Sequence, residues 1–316
     1  MTTTTPPVTA REPVTAGRRR RRAPLSEGAR QERRLGWLLC APAVIVMIAV
    51  TAYPIGYALY LSFQRYILSN PALNKFVGFS NYAAVLSSPF WWHALWVTVL
   101  ITAVSVAVEL VLGMLLALLM YRTIFGRGTV RTTMLIPYGI VTIVAAFGWQ
   151  YAWTPSTGYL SAAFNNSAPL TKTGAAIAII ILAEIWKTTP FMALLLMAGL
   201  SLVPEDLLKA AKVDGANAWQ RFIRIMVPLM KPAILVALLF RALDAFRIFD
   251  NIFILTVGAN NTSSVSMLNY SNLFTGFNFG LGSAMSVLIL ICVAIIAFVF
   301  IKGFGTAAPG ADVARR

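Results

Sequence analysis

Long apolar segments alternate with shorter polar segments along most of the chain. Six of the apolar segments reach the roughly 20 residues that a helix needs to cross the hydrocarbon core of a membrane. They are residues 35–61, 94–121, 133–153, 174–199, 226–249 and 282–301. Prolines within them do not argue against spanning helices, because neighbouring helices can satisfy the freed backbone groups. The pattern predicts an all-α polytopic membrane protein with six transmembrane helices.

Composition and charge distribution refine this prediction. The chain is 58% hydrophobic, only 12% charged and has a mean hydropathy of +0.74, which excludes an ordinary soluble domain. Outside the apolar segments, lysines and arginines number nine in the N-terminal region, then two, three, one, four, zero and three in the successive polar segments. This alternation predicts that both termini and the 200–225 loop are cytoplasmic, in a multi-pass protein of the plasma membrane.

The net charge of +15 invites a nucleic-acid interpretation, but the location of the charge does not support it. The run Arg18–Arg22 lacks the aromatic or folded context of a nucleic-acid site. We therefore predict no nucleic-acid partner and assign this run to anionic membrane lipid. Residues 1–34 are expected to form a disordered basic cytoplasmic tail, 35–303 the transmembrane domain and 304–316 a cytoplasmic C-terminal tail.

The 200–225 loop is the most distinctive polar segment. Pro204, Glu205 and Asp206 are typical of a helix start, and Asp214 followed by Gly215 is typical of a helix end. A second helix is expected at 216–224. The residues alone leave two interpretations: an interfacial amphipathic helix without a partner, or an element that docks onto a soluble protein.

This loop resembles the "EAA" loop of ABC importer permeases. The resemblance rests on Lys209-Ala210-Ala211, on Gly215 four residues later, and on Ile225 and Pro228. Lys209 stands where many relatives carry Glu. The resemblance implies a type I importer permease fold with a cytoplasmic coupling helix that seats in a cleft of the ATPase. The implied coupling residues are Glu205, Lys209, Ala210, Ala211, Asp214, Gly215, Ile225 and Pro228.

Further segments resemble the maltose-type family of binding-protein-dependent sugar permeases. They include AYPIGYAL, IPYGIV, WKTTPFM and FRIFDNI, which look like those of mycobacterial trehalose importers. One departure is Val257-Gly258-Ala259-Asn260, where many relatives have a glycine cluster and proline. The resemblance implies a bacterial inner-membrane permease for a sugar, such as the disaccharide trehalose. It also implies a second permease subunit, two copies of an ABC ATPase and an extracytoplasmic sugar-binding protein as partners.

Charged and polar residues recur at helical spacing inside two of the apolar segments. Charges at mid-membrane are costly, so they should pair or face a wet path. One interpretation is an ion-pair network that holds two permease subunits together; the other is a polar path for a polyhydroxylated solute. The resemblance makes the candidates Glu184, Lys187, Thr188, Phe191, Arg241, Asp244 and Arg247. Glu109 has no charged neighbour in sequence, and we expect it to serve packing or hydrogen bonding.

Signs of catalysis are missing from the sequence. His93 is the only histidine, no metal-ligand pattern is present, and no Walker A motif occurs. We therefore expect a non-catalytic subunit without a cofactor or metal of its own, with ATP and Mg²⁺ on the partner ATPase. Two alternatives remain: a stand-alone secondary transporter, although we find no internal repeat, and a membrane-embedded transferase. The acidic residues that a transferase would need at the 200–225 loop are better explained by helix termini.

Overall fold

The computed structural model describes residues 27–122, 126–165 and 167–305, which are mostly helical. The helices are α1 (Glu27–Ser62), α2 (Ser80–Ser87), α3 (Pro89–Arg122), α4 (Arg127–Gly139), α5 (Thr142–Ala152), α6 (Tyr159–Ala163), α7 (Thr173–Leu200), α8 (Glu205–Val213), α9 (Ala218–Arg221), α10 (Val227–Ala245), α11 (Asp250–Leu255), α12 (Val265–Tyr270) and α13 (Phe279–Gly305). Two short strands, β1 (Gln64–Arg65) and β2 (Lys75–Phe76), pair antiparallel. π-Helical turns occupy Phe222–Met226 and Ser271–Thr275.

The membrane-spanning helices agree with the sequence prediction. Among the described residues, five helices are long and apolar enough to cross a membrane, and a sixth span results if the bent pair α4 and α5 is counted as one. These two helices meet at 87°. Ile140 and Val141 between them have extended backbone angles, so the helical hydrogen bonds stop there. The third predicted span is therefore a broken helix and not a continuous one.

The ends of the chain differ in part from the expected tails. Helix α1 begins at Glu27 and so includes residues 27–34, which the sequence analysis assigned to the disordered tail. The run Arg18–Arg22 and the last eleven residues, 306–316, lie outside the described residues. The described chain divides into two units, one that ends at Ile55 and one that begins at Gly56. In the first unit the apolar side chains of α1 are exposed.

The second unit is organised around α7, which packs against α3 on one side and α10 on another. Small residues allow these close approaches. A Cβ added to Gly113 of α3 would lie 2.7 Å from Cγ of Met192 on α7. A Cβ added to Gly199 of α7 would lie 2.5 Å from the Cβ of Ala233 on α10. Both glycines therefore set the spacing of the three helices that carry the intramembrane charges.

Replacing Gly199 with alanine is expected to destabilise the protein. The added methyl group overlaps Ala233, so α7 and α10 must move apart, and overpacking of this kind costs about 1–3 kcal/mol. We expect the melting temperature of the detergent-solubilised protein to fall by several degrees. Gly174→Ala, at the start of the same helix, is the matched control because an added Cβ there meets nothing within 4 Å. Equal melting temperatures for the two variants would contradict the packing assignment.

Candidate functional site

A buried ion cluster lies where α3, α7 and α10 meet. Its centre is Arg241 of α10, which is fully buried. The guanidinium pairs with Glu109 of α3 through Nε and Nη2, with Glu184 Oε1 of α7 at 2.6 Å through Nη2, and with Asp244 Oδ2 at 2.6 Å through Nη1. One guanidinium therefore joins carboxylates from three helices, the arrangement for which its planar set of five donors is suited.

Neighbouring polar groups complete the hydrogen bonding of the two buried carboxylates. Asn251 Nδ2 donates to Glu184 Oε2 at 2.5 Å. The hydroxyl of Thr188 lies 2.8 Å from Glu109 Oε1 and 2.6 Å from the main-chain oxygen of Glu184. Glu109, predicted to serve packing or hydrogen bonding, is thus a full member of the cluster. Its main partner lies 132 residues away, so no local pattern in the sequence reveals the pair.

Lys187 is bound to the broken third span. Its Nζ donates to the main-chain oxygen of Ile140 at 2.7 Å, lies 3.4 Å from that of Tyr138, and sits 5.8 Å from the centre of the Tyr138 ring. Main-chain oxygens at a helix break lose their helical donors and need other partners within a membrane. Lys187 supplies one, while Phe191 on the same helix stacks on the Tyr138 ring at 5.2 Å. This side of α7 therefore stabilises the bend between α4 and α5.

A cavity of about 550 Å³ opens beside the ion cluster. Five of the seven predicted path residues line it: Glu184, Lys187, Thr188, Asp244 and Arg247. The remaining two do not line it: Arg241 is fully buried, and Phe191 stacks on the ring of Tyr138, which does. The lining residues that sequence reasoning did not select as candidates are Tyr138, Ile140, Val141, Thr142, Ile248, Phe249, Asp250 and Asn251. The last four of these residues belong to the FRIFDNI segment, whose family resemblance could have indicated them.

This cavity has the chemistry of a site for a polar, uncharged solute. Carboxylates and an amide supply hydrogen-bond acceptors, and Lys187, Arg247 and Asn251 supply donors. The side chain of Asp244 is 69% exposed, so its carboxylate faces the open space while it also pairs with Arg241. Rings of Tyr138 and Phe249 add apolar surface. Ligand pockets typically measure about 300–1,000 Å³ and combine such surfaces with a few polar groups.

The 200–225 loop consists of two short helices joined at a glycine. Helix α8 ends in a Schellman motif: Ala216 N–H donates to Ala211 O at 2.9 Å and Gly215 N–H to Lys212 O at 3.2 Å. Gly215 has φ +83°, in the left-handed region that favours glycine. Asn217 and Gln220 form a capping box at the start of α9.

The second helix of the loop is shorter than predicted. The expected helix at 216–224 is α-helical only over Ala218–Arg221. A π-helical turn follows at Phe222–Met226, which contains Ile225, and Pro228 lies in the first turn of α10. Pro228 has no N–H to donate, so its position disrupts the α-helical ladder across this junction.

The surface of this loop is charged and also carries exposed apolar side chains. Lys209 lies 3.5 Å from both Glu205 and Asp206, and all three are largely exposed. Val213 and Trp219 are 88% and 69% exposed. Ala210 is exposed, while Ala211 and Ile225 are partly buried. Exposed apolar groups amid charges on a polar loop are typical of an interaction surface. Over the residues that the structure covers, no group of three or more His, Cys, Asp or Glu is placed to hold a metal ion.

Comparison with known proteins agrees with this architecture. Residues 83–305 match the family model described as binding-protein-dependent transport system inner membrane component. The chain is 62% identical over 286 residues to the trehalose transport system permease protein SugA of Mycobacterium tuberculosis, covering 90% of this chain and 93% of the relative. It is 38% identical to the trehalose/maltose transport system permease protein MalF of Thermococcus litoralis, covering 86% of this chain and 94% of the relative.

A solved structure shares the fold. A chain of a bacterial ABC transporter involved in the import of the acidic polysaccharide alginate superposes with a TM-score of 0.77 at 21% identity, covering 88% of this chain and 98% of that one. At this identity the likeness concerns the fold alone, and it confirms the type I importer permease fold predicted from the sequence. The family match over most of the chain and the 62% identity to a curated permease identify the protein as a member of the family of inner-membrane permease components of binding-protein-dependent ABC transport systems.

Proposed function

We propose that this protein is the permease subunit of an ATP-driven importer that takes up a sugar, with trehalose as the solute. The observation that carries the proposal is the 62% identity, over 90% of the chain, to a permease named for trehalose transport. A second relative, at 38% identity, is named for trehalose and maltose transport. The polar cavity beside the ion cluster supplies the acceptors, donors and ring surfaces that a disaccharide with many hydroxyl groups requires.

Uptake by cells tests the solute directly. We expect a strain that lacks this chain to lose uptake of radiolabelled trehalose and to recover it when the chain is restored. A tenfold excess of unlabelled trehalose should compete fully, whereas glucose should not. Restored uptake of a different sugar, with trehalose uptake unchanged by the deletion, would overturn trehalose as the solute while leaving the permease assignment intact.

The cavity is proposed to be part of the solute path, and Arg247 is the residue that tests it most cleanly. Arg247 lines the cavity and is exposed. No ion pair involves it among the described residues, so its loss should not unfold the protein. We expect Arg247→Gln to lower trehalose uptake about tenfold at normal membrane abundance. Lys231→Gln, which removes an exposed cation outside both the cavity and the 200–225 loop, should leave uptake unchanged. Equal uptake by both variants would exclude Arg247 from the path.

We further propose that the importer contains a second permease, two copies of an ABC ATPase and an extracytoplasmic sugar-binding protein. ATP and Mg²⁺ would then act on the ATPase, and its closure would move α8 and turn the cavity outward. The 200–225 loop, with its exposed charges and apolar side chains, is the proposed docking element. A pull-down of the tagged chain in mild detergent should recover these partners by mass spectrometry. Recovery of the chain alone, with solute transport in liposomes without ATP, would overturn this assembly.

The proposed orientation places both termini and the 200–225 loop in the cytoplasm. Its support is the alternation of lysine and arginine between successive polar segments. Val213 is suited to a test because its side chain is 88% exposed and lies in this loop. In a background without Cys40 and Cys292, we expect Val213→Cys to react with a membrane-impermeant thiol reagent only in inverted vesicles. Labelling in intact spheroplasts would reverse the orientation.

A further inference from the structure

A pocket of about 290 Å³ separates the 200–225 loop from the adjoining ends of α3 and α10. Helix α8 contributes Glu205, Leu208, Lys209 and Lys212, whose spacing of three, four and seven residues places them on one helix face. This face is directed toward the transmembrane helices, because Leu208 packs against the apolar core that contains Met226. Ala210 and Val213 lie outside this face. The pocket is therefore on the membrane side of α8, and the rest of the helix surface remains available to a protein partner.

The charge of this pocket is predominantly positive. Three cations, Lys209, Lys212 and Arg221, line it together with one carboxylate, that of Glu205. Lys209 is already paired with Glu205 and Asp206. Within the part of the chain that the structure describes, no carboxylate lies in ion-pairing distance of the other two cations. Two cations thus converge on the pocket with their charge uncompensated, which favours an anion between them.

The position of the pocket identifies the kind of anion. Tyr121 is the last residue of the spanning segment Pro89–Tyr121, and Met226 lies just before α10. The pocket is therefore at the depth where the helices leave the hydrocarbon core and where lipid headgroups lie. Tyrosine rings are enriched at this level, and basic pockets between helices near the cytoplasmic surface bind anionic headgroups. The small volume suits one phosphate-bearing headgroup.

We propose that this pocket binds the phosphate group of an anionic phospholipid. Lys212 and Arg221 hold the phosphate oxygens by charge-assisted hydrogen bonds, and the hydroxyl of Tyr121 donates a further one. Since Lys212 belongs to α8, Arg221 to α9 and Tyr121 to α3, the bound headgroup joins both helices of the 200–225 loop to the transmembrane core. The lipid would thereby set the position of the loop, whichever solute the protein carries.

Photo-crosslinking on the full-length protein, purified in mild detergent, tests the site. The probe is a photoreactive phosphatidylglycerol, and mass spectrometry measures the crosslink yield in the peptides that contain residues 204–226. We expect the Lys212→Gln/Arg221→Gln variant to need a lipid concentration about 30-fold higher for half-saturation, because it lacks two cations that each contribute about 1 kcal/mol. Tyr121→Phe should give a smaller shift. The matched double variant Arg224→Gln/Lys231→Gln, whose two positions do not line the pocket, should saturate as the unmodified protein does.

Competition experiments distinguish a lipid headgroup from free inorganic phosphate as the bound anion. Unlabelled phosphatidylglycerol should displace the probe, whereas phosphatidylcholine and inorganic phosphate at the same concentration should not. Displacement by inorganic phosphate would make this a free-anion site and overturn the lipid assignment. Equal displacement by phosphatidylcholine, unchanged saturation of the Lys212/Arg221 double variant, or an equal shift in the matched control variant would each overturn the proposal. None of these outcomes depends on the identity of the transported solute.

Discussion

Replacement of Arg241 by methionine is expected to deplete the protein from the membrane. Arg241 is fully buried and pairs with carboxylates of Glu109, Glu184 and Asp244. Its loss leaves two buried carboxylates without their cation, at the meeting point of three helices. Removal of one partner from a buried ion pair costs about 3–5 kcal/mol, a large part of the stability of a typical domain. We expect membrane abundance to fall severalfold, measured by quantitative immunoblotting of washed membranes.

Two further variants separate the loss of charge pairing from a general effect of the substitution. Lys231→Met, on the exposed side of the same helix, should leave abundance unchanged. The triple variant Arg241→Met/Glu109→Gln/Glu184→Gln removes the uncompensated charges as well, so we expect it to recover much of the abundance lost by Arg241→Met. Normal abundance of Arg241→Met, or no recovery in the triple variant, would contradict the view that this cluster is a structural requirement.

The structure places the intramembrane charges both in an ion cluster within this chain and in the wall of a cavity. Arg241 is the centre of the ion cluster and joins helices within this chain. The sequence hypothesis concerned pairing between subunits, and it stays a prediction. Asp244 belongs both to the cluster and to the wall of the cavity. Lys187 lines the cavity but is not a member of the ion cluster, because its hydrogen-bond partners are main-chain oxygens. The cavity therefore borders the ion cluster, and its wall also includes Arg247, which forms no ion pair among the described residues.

The spanning helices were predictable because the membrane requires long apolar segments, and this requirement is visible in any window of the sequence. Most contacts between the helices could not be predicted in this way. The partner of Glu109 is distant in sequence, and its pairing depends on helix packing that a single chain's pattern does not contain. The bend near Ile140 was hidden for a related reason: an apolar segment with a proline looks the same whether the helix continues or breaks. The partners of Lys187 exist only because that helix breaks.

The end of α8 was predictable in detail, because a glycine ends a helix through its own backbone conformation and needs no distant partner. Gly215 was expected to end the helix, and the Schellman motif and positive φ are what such an ending requires. The residues beyond it were less predictable. Ile225 fits a continuing α-helix by propensity, but Pro228 three residues later lacks the N–H that the helix needs, and a π-helical turn results.

Replacement of Gly215 by aspartate is expected to abolish solute uptake while the protein remains in the membrane. A Cβ at this position meets nothing within 4 Å, so no steric clash arises. The left-handed backbone costs a residue with a side chain about 1–2 kcal/mol, which is too little to unfold the protein. An added carboxylate at the C-terminal end of α8, beside Asp214, is also unfavourable with the helix dipole. Both effects disturb the junction of α8 and α9, the proposed docking element.

The matched control for this variant is Gly126→Asp, because Gly126 also has a positive φ, +69°, and an added Cβ there also meets nothing within 4 Å. It precedes α4, where an added carboxylate is favourable with the helix dipole, so we expect near-normal uptake. Membrane abundance should be normal for both variants, and uptake of labelled trehalose should fall at least tenfold only for Gly215→Asp. In the assembled importer, the same variant should weaken stimulation of ATP hydrolysis by the loaded binding protein. If Gly215→Asp transports normally, α8 does not transmit the motion of the ATPase; if both variants fail equally, backbone strain and not docking explains the loss.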